Sequence, residues 1–305
     1  MLHIRNLDDG LEIFKTLGSE IRIAIIKLLL ENNEISMNEI AFRLGITGGA
    51  LTNHIKKLVD SGLVRIAMNQ GSHGNRKRYC VTAEKILVEI GSKTEEDTYT
   101  TEIPVGRYSV CEAFPTCGLA TSKMLIGKVD DPRCFSYSEH IDAQILWFTK
   151  GYVEYFLPNQ LPDGTKIDQI TISFEISSEA PGMNNDWPSD ISFFLNDMKI
   201  GMWTSPGDYG DIRGIFTPEW WFQNWNQYGL LKMLVINRKG TFIDGMKISD
   251  VSIGQFSLNY KSTLKFKFQV EDSAKNVGGI TLFGSGFGNY NQDIKVRISY
   301  SPIEL

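Results

Sequence analysis

Residues 44–64, LGITGGALTNHIKKLVDSGLV, constrain the fold more tightly than any other stretch of the chain. A helical period of about 100° per residue puts Leu51, Ile55, Leu58 and Val59 in one arc. Gly49, Thr52, Asn53, Lys56 and Asp60 fall roughly opposite. Thr47 stands where an N-cap hydroxyl starts a helix, and Gly62 stands where a helix stops. The spacing predicts a short amphipathic helix with one packed face and one polar, partly basic face. Gly48 and Gly49 leave its first turn without side-chain bulk.

The flanks supply the context. Over residues 11–30, Leu11, Phe14, Leu17, Ile21, Ala24, Ile25, Leu28 and Leu29 keep helical spacing, with Gly18-Ser19 as a break between two helices. Ser36-Met37-Asn38-Glu39 has the capping-box form and predicts a helix to about Leu44. Gly45 makes the turn into the next helix. Residues 63–67 and 78–82 read as two strands around a loop of Gly, Ser, Asn, His and basic residues. A further helix is expected over residues 83–90. Two helices joined by a tight turn and followed by a hairpin form a helix-turn-helix with a wing.

Charge agrees with that layout. The net charge of −5 argues against a general polyanion binder, yet residues 43–78 hold seven basic side chains against Asp60 alone. A duplex-facing surface needs such a local excess; a solvated basic face is the bland alternative. The bare first turn would let a duplex approach closely. The candidate DNA contacts are Thr47, Gly48, Gly49, Thr52, Asn53, Lys56 and Lys57 on the helix, and Arg76, Lys77 and Arg78 on the wing. Thr52 and Asn53 are placed to meet base edges and Lys56 a phosphate.

Residues 10–90 resemble the ArsR-like winged helix-turn-helix regulators of bacteria. The resemblance rests on Leu51-Thr52-Asn53-His54-Ile55-Lys56-Lys57-Leu58, on Ser61-Gly62-Leu63-Val64, and on the basic wing ending at Tyr79. It implies DNA binding by a homodimer, and repression relieved by a ligand as the common mode. Many members sense metals through cysteines in the helix that here spans residues 36–44; that segment has none.

Residues 92–101, SKTEEDTYTT, are polar and acidic without an apolar period, and read as a linker. Beyond them the texture changes to short runs rich in Val, Ile, Phe and Tyr. Strands are expected near residues 103–113, 145–157, 166–176, 191–203, 230–236, 251–260, 264–270, 279–283 and 294–300. Strands without intervening long helices predict an antiparallel, jelly-roll-like β-sandwich. The expected whole is an α+β two-domain chain: a winged domain over 1–92, a linker over 93–102, and a sandwich for effector binding or dimerisation over 103–305.

Several constellations could carry chemistry. Trp187, Trp203, Trp220, Trp221 and Trp225 are interleaved with Asp, Asn and Arg, the mixture that stacks on sugar rings and binds their hydroxyls. They equally suit a sandwich core or an interface. Cys111, Cys117 and Cys134 with His140 could hold a metal, but their C-x5-C-x16-C spacing lacks a CxxC pair, so free thiols are expected and no metal is assigned. Glu154, Glu175 and Glu179 are the acids a glycosidase would need, though sequence pairs none of them. Residues 284–288, GSGFG, lack the Lys and the strand-to-helix setting of a phosphate loop. No cofactor is implied and no enzyme is expected. An export signal and a membrane span are both missing from the pattern, so the reading is cytoplasmic. The expected function is a DNA-binding regulator, a repressor acting as a homodimer on double-stranded operator DNA, whose sandwich senses a small molecule with a carbohydrate as leading candidate. The alternative is a carbohydrate-binding or carbohydrate-active sandwich whose winged domain contacts protein.

Overall fold

A computed structural model of the chain describes residues 2–4, 7–32, 35–67, 78–82, 85–88, 90 and 98–303. The chain divides into two compact units, Met1–Ser92 and Lys93–Leu305.

In the first unit the helices α1 (Leu11–Leu17) and α2 (Glu20–Glu31) break at Gly18. Buried Arg22 holds the break by donating to the Thr16 carbonyl at 2.5 Å and the Lys15 carbonyl at 2.9 Å. Helix α3 (Met37–Leu44) opens on Ser36, whose hydroxyl accepts from the Glu39 N–H. The Glu39 carboxylate turns to Arg43 at 2.8 Å. Gly45 at φ 64° ends α3 in the left-handed region, where a side chain would be strained. Thr47 then caps α4 (Gly48–Asp60), its hydroxyl accepting from the Ala50 N–H at 3.3 Å. The buried faces of these helices bring Ile25, Leu29, Ile40, Leu51, Ile55 and Leu58 into one core. Each such full burial contributes about 1.5–3 kcal/mol.

Among the described residues, five short strands join the helices of this unit: β1 (Leu2–Ile4), β2 (Ile35–Ser36), β3 (Val64–Ala67), β4 (Arg78–Val81) and β5 (Ile86–Val88). Strands β3 and β4 form the predicted antiparallel hairpin, Val64 opposite Val81, and β2 adds to its other edge. The helix expected over residues 83–90 is not formed. Ile86–Val88 instead pairs in parallel with Leu2–Ile4. Two β-branched residues in three suit a strand, and the partner comes from the start of the chain, beyond any local period.

The second unit is an antiparallel sandwich. Its strands are β6 (Thr98–Ile103), β7 (Val110–Ala120), β8 (Ile145–Leu157), β9 (Thr165–Ser177), β10 (Ser189–Leu195), β11 (Met198–Ser205), β12 (Leu230–Asn237), β13 (Gly240–Ile243), β14 (Met246–Ser249), β15 (Leu264–Val270), β16 (Ile280–Phe283) and β17 (Ile294–Pro302). One run is ordered β7–β8–β15–β10–β11 and the other β6–β17–β9–β12–β13–β14. Strand β16 pairs with both β8 and β9 and so joins the two runs. Phe174 of β9 meets Phe193, Phe266 and Phe268 of the opposite run, with centroids 5.7, 6.5 and 4.8 Å away. Along β15, Leu264, Phe266, Phe268 and Val270 are buried while the residues between them are partly exposed, the period of a half-buried strand.

Three differences from the expected pattern have local causes. Strand β6 begins at Thr98, inside the polar stretch that reads as a linker, because β17 offers it an edge from Ile294 to Ser299. Residues 191–203 are not one strand but the hairpin β10–β11, turned at Asn196 and Asp197 with φ of 45° and 66°. Asn and Asp tolerate those angles best after glycine. Residues 251–260 form no strand; Ser252 and Gln255 cap each other around a single 3-10 turn, Ile253–Gln255.

Candidate functional site

Helix α4 sorts its residues cleanly. Leu51, Ile55 and Leu58 are buried, while Thr47, Gly48, Gly49, Thr52, Asn53, Lys56 and Lys57 are exposed. A Cβ added at Gly48 or Gly49 meets nothing within 4 Å, so nothing inside the unit demands glycine there. The Thr52 hydroxyl donates to the Gly48 carbonyl at 2.8 Å. Its proton is therefore spent, and toward a partner Thr52 can only accept. Arg78 opens β4 and is exposed. Arg76 and Lys77 lie outside the described residues, as does His73. The face this leaves is polar and basic, with a two-sided amide at Asn53 between a hydroxyl and two ammonium groups.

The second unit distributes the five tryptophans differently from a single pocket. Trp221 is core: 1% exposed, edge-on to Trp147 and Phe287, its indole N–H on the Asn226 carbonyl at 2.8 Å. Trp203 lies under the Lys232 ammonium, 4.5 Å from the ring centre, and Lys232 in turn pairs with buried Asp244 at 2.8 Å. The indoles of Trp187 and Trp220 donate to the carbonyls of Glu179 and Ser122. Trp225 alone among the five lines a cleft of about 170 Å³. It shares that lining with Trp147, Thr116, Asp130, Glu179 and Asn226.

Glu179 forms the polar floor of this cleft. One carboxyl oxygen lies 3.1 Å from the Thr116 hydroxyl; the other lies 3.1 Å from the Asn226 amide nitrogen and 3.2 Å from the Thr281 hydroxyl. Burial holds its carboxyl well above the usual range, and nearby Asp208 pushes the same way. Asp208 is itself raised to about 7 by burial. Sequence reasoning finds Glu179 and the residues around Trp225 but misses Trp147, Thr116 and Asp130. Trp147 sits in a continuous apolar strand run, where nothing marks it apart from core.

The remaining candidates are structural. Glu175 is fully buried and takes backbone N–H groups from Gly229, Asn289 and Tyr290, so the glycine-rich loop before Asn289 serves an internal carboxyl. His140 stacks on Tyr108 and bonds the Gly106 carbonyl at 2.7 Å. Burial pushes the Cys117 thiol up to about 12 and Cys111 upward too, which makes both poor thiolates. Among the described residues no three His, Cys, Asp or Glu side chains gather as a metal ion requires. No helix of the described residues is long and apolar enough to cross a membrane.

Two helices across a left-handed glycine turn, then a hairpin with a third strand, define a winged helix-turn-helix. The family model for winged helix-turn-helix DNA-binding domains matches residues 19–65. Solved structures similar to the chain include reduced HlyU of Vibrio cholerae, 27% identical over 24% of this chain and 73% of that one, with a TM-score of 0.21. Another is Rv0081 of M. tuberculosis, 29% identical over 24% and 70% of the two chains, TM-score 0.22. A third is a homodimeric winged helix-turn-helix DNA-binding domain of Mycobacterium bovis, a possible ArsR-family transcriptional regulator, 26% identical over 26% and 68%, TM-score 0.23. No curated protein matches the chain. The matched family and the sidedness of α4 support a DNA-binding transcriptional regulator.

Proposed function

We propose that the chain is a one-component regulator whose winged unit binds operator DNA and whose sandwich takes a small polar ligand, a carbohydrate first. One observation carries the DNA half: α4 buries Leu51, Ile55 and Leu58 and leaves Thr52, Asn53, Lys56 and Lys57 exposed on the other side. In this reading Asn53 reads a base edge through its amide. Thr52 accepts from a base amino group, Lys56 and Lys57 meet phosphates, and Thr47, Gly48 and Gly49 let the duplex close on the first turn. The wing, Arg76 to Arg78, follows the backbone. One such helix reads few base pairs, so the chain works as a homodimer with two helices about one helical turn apart on a pseudo-palindrome. Ligand in the sandwich shifts the population of DNA-competent dimers, and relief of repression is the sign we assign.

The test uses a duplex selected by the full chain from a random pool. Asn53→Ala should cost about 1–3 kcal/mol on the selected duplex and little on random duplex. Equal loss on both would show that Asn53 reads no base. For the ligand half, the full chain is melted with a panel of sugars, since a fragment cut at residue 103 would lose most of β6. A ligand at a hundredfold excess over its Kd raises apparent stability by about 2.7 kcal/mol.

A further inference from the structure

The cleft beside Trp225 carries a charge sign. Its described lining holds two acidic side chains, Asp130 and Glu179, and no Lys, Arg or His. Behind Glu179 lies Asp208, buried, with one oxygen taking the Ala180 N–H at 3.0 Å and the other without a hydrogen-bond partner. Two carboxyl groups this close and this dry cannot both stay ionised without a counter-charge. An anion entering the cleft would meet the Asp130 carboxylate and make ionisation of Glu179 costlier still; a cation would supply the counter-charge that Glu179 and Asp208 lack.

The neutral groups point the same way. Asn226 spends its amide hydrogens on Glu179 and Thr281 at 3.1 and 2.9 Å, and Thr116 donates its hydroxyl to Glu179 at 3.1 Å, so both direct these donors to partners inside the fold. The cleft therefore offers acceptors and asks for donors. Trp147 and Trp225 add ring faces, which attract ammonium groups within about 6 Å and also stack on C–H surfaces. At about 170 Å³ the space is below the roughly 300–1,000 Å³ of drug-sized pockets, and suits one small ring.

We infer that the ligand of this cleft is a small hydroxylated amine in its protonated form, of the hexosamine kind. This rests on the reading of the cleft as the ligand site. The probes are glucosamine, glucose, N-acetylglucosamine and glucose 6-phosphate, titrated into the full chain at one ionic strength and followed by calorimetry. They share a ring and differ in charge. Glucosamine should bind about tenfold or more tighter than glucose or N-acetylglucosamine, and the phosphate should not bind. Glu179→Gln should abolish that preference; Asp130→Asn, at an exposed position, keeps the side-chain oxygen that takes the Cys117 N–H at 2.9 Å and should reduce it. Equal binding of glucose and glucosamine overturns the charge inference and leaves the cleft as the site. Tighter binding of the phosphate does the same. A glucosamine preference undiminished in Asp130→Asn and Trp225→Ala places binding elsewhere and overturns both. Binding of none of the four also overturns both.

Discussion

Gly49 carries opposed demands that a single substitution separates. Alanine is the better helix former by about 1 kcal/mol, and the added methyl meets nothing within 4 Å. Gly49→Ala should therefore raise the melting temperature. If the first turn of α4 lies against a duplex, the same methyl lowers DNA affinity. Both are measured on one variant, and a stability gain with unchanged affinity would detach that turn from the DNA. Two neighbouring tryptophans make a second contrast. Trp221 is enclosed by rings and bonded through its indole, so Trp221→Ala should cost about 3–5 kcal/mol. Trp225 is partly exposed on the cleft, so its alanine variant should melt much closer to the parent chain and lose the ligand response. If both variants melt alike and neither alters the ligand response, Trp225 is core as well. In the sequence only the amides of Asn224 and Asn226, which flank Trp225, favour it over Trp221 as the ligand contact. They stand in a loop, where no period ties position to face, and only the packing assigns one inward and one to the cleft.

At the scale of elements, local chemistry is readable and distant pairing is not. The break at Gly18, the caps at Ser36 and Thr47 and the glycine ends at Gly45 and Gly62 all stand where the residue types put them. Each depends on bonds spanning a few residues. Strands β5 and β6 depend on partners far along the chain, and a local reading makes one a helix and the other a linker. The Asp244-Gly245 turn, with φ of 49° and 82°, is a legible hairpin signal that marks β13 and β14, although the strands expected from apolar runs include neither. The wing supplies the prediction here. Strands β3 and β4 pair Val64 with Val81 and Ala67 with Arg78, which sets Arg78 at the start of the returning strand. Replacing Arg76, Lys77 and Arg78 together with alanine should weaken all duplexes alike and flatten the salt slope by roughly 0.9 for each phosphate the wing no longer neutralises. A slope that does not change would take the wing off the DNA.

For the whole molecule, the sandwich buries acids at a cost that depends on pH. Burial pushes Glu175 up to about 8 and Asp208 to about 7, and holds Glu179 well above its usual range. In the unfolded chain these groups release their protons at their ordinary values of 3.8 and 4.5. Between those values and 7 to 8 the folded chain therefore binds more protons, and stability falls as pH rises. Each group costs up to about 1.4 kcal/mol per pH unit within its window, and the decline levels off above it. The melting temperature of the sandwich should drop between pH 5 and pH 8, and Asp208→Asn should flatten the drop. A profile that rises or stays level would mean that the N–H groups around Glu175 and the hydroxyls on Glu179 hold these carboxylates charged. The three acids lie on β9 and the segments after β9 and β11, and only the sandwich takes all three out of water.

By itself, the sequence determined the winged unit and its outward face. Caps, glycine turns and a 3.6-residue period act over distances shorter than one helix, so residue types alone settle them. It also determined that the second unit would be stranded, since alternation and β-branching are properties of a short run. The order of strands, the joining of two sheets through β16, and the cleft of Trp147, Trp225, Thr116, Asp130 and Glu179 were decided by tertiary structure alone. Those residues come from separate strands and loops, and their meeting is fixed by long-range pairing and close packing, which no local pattern encodes.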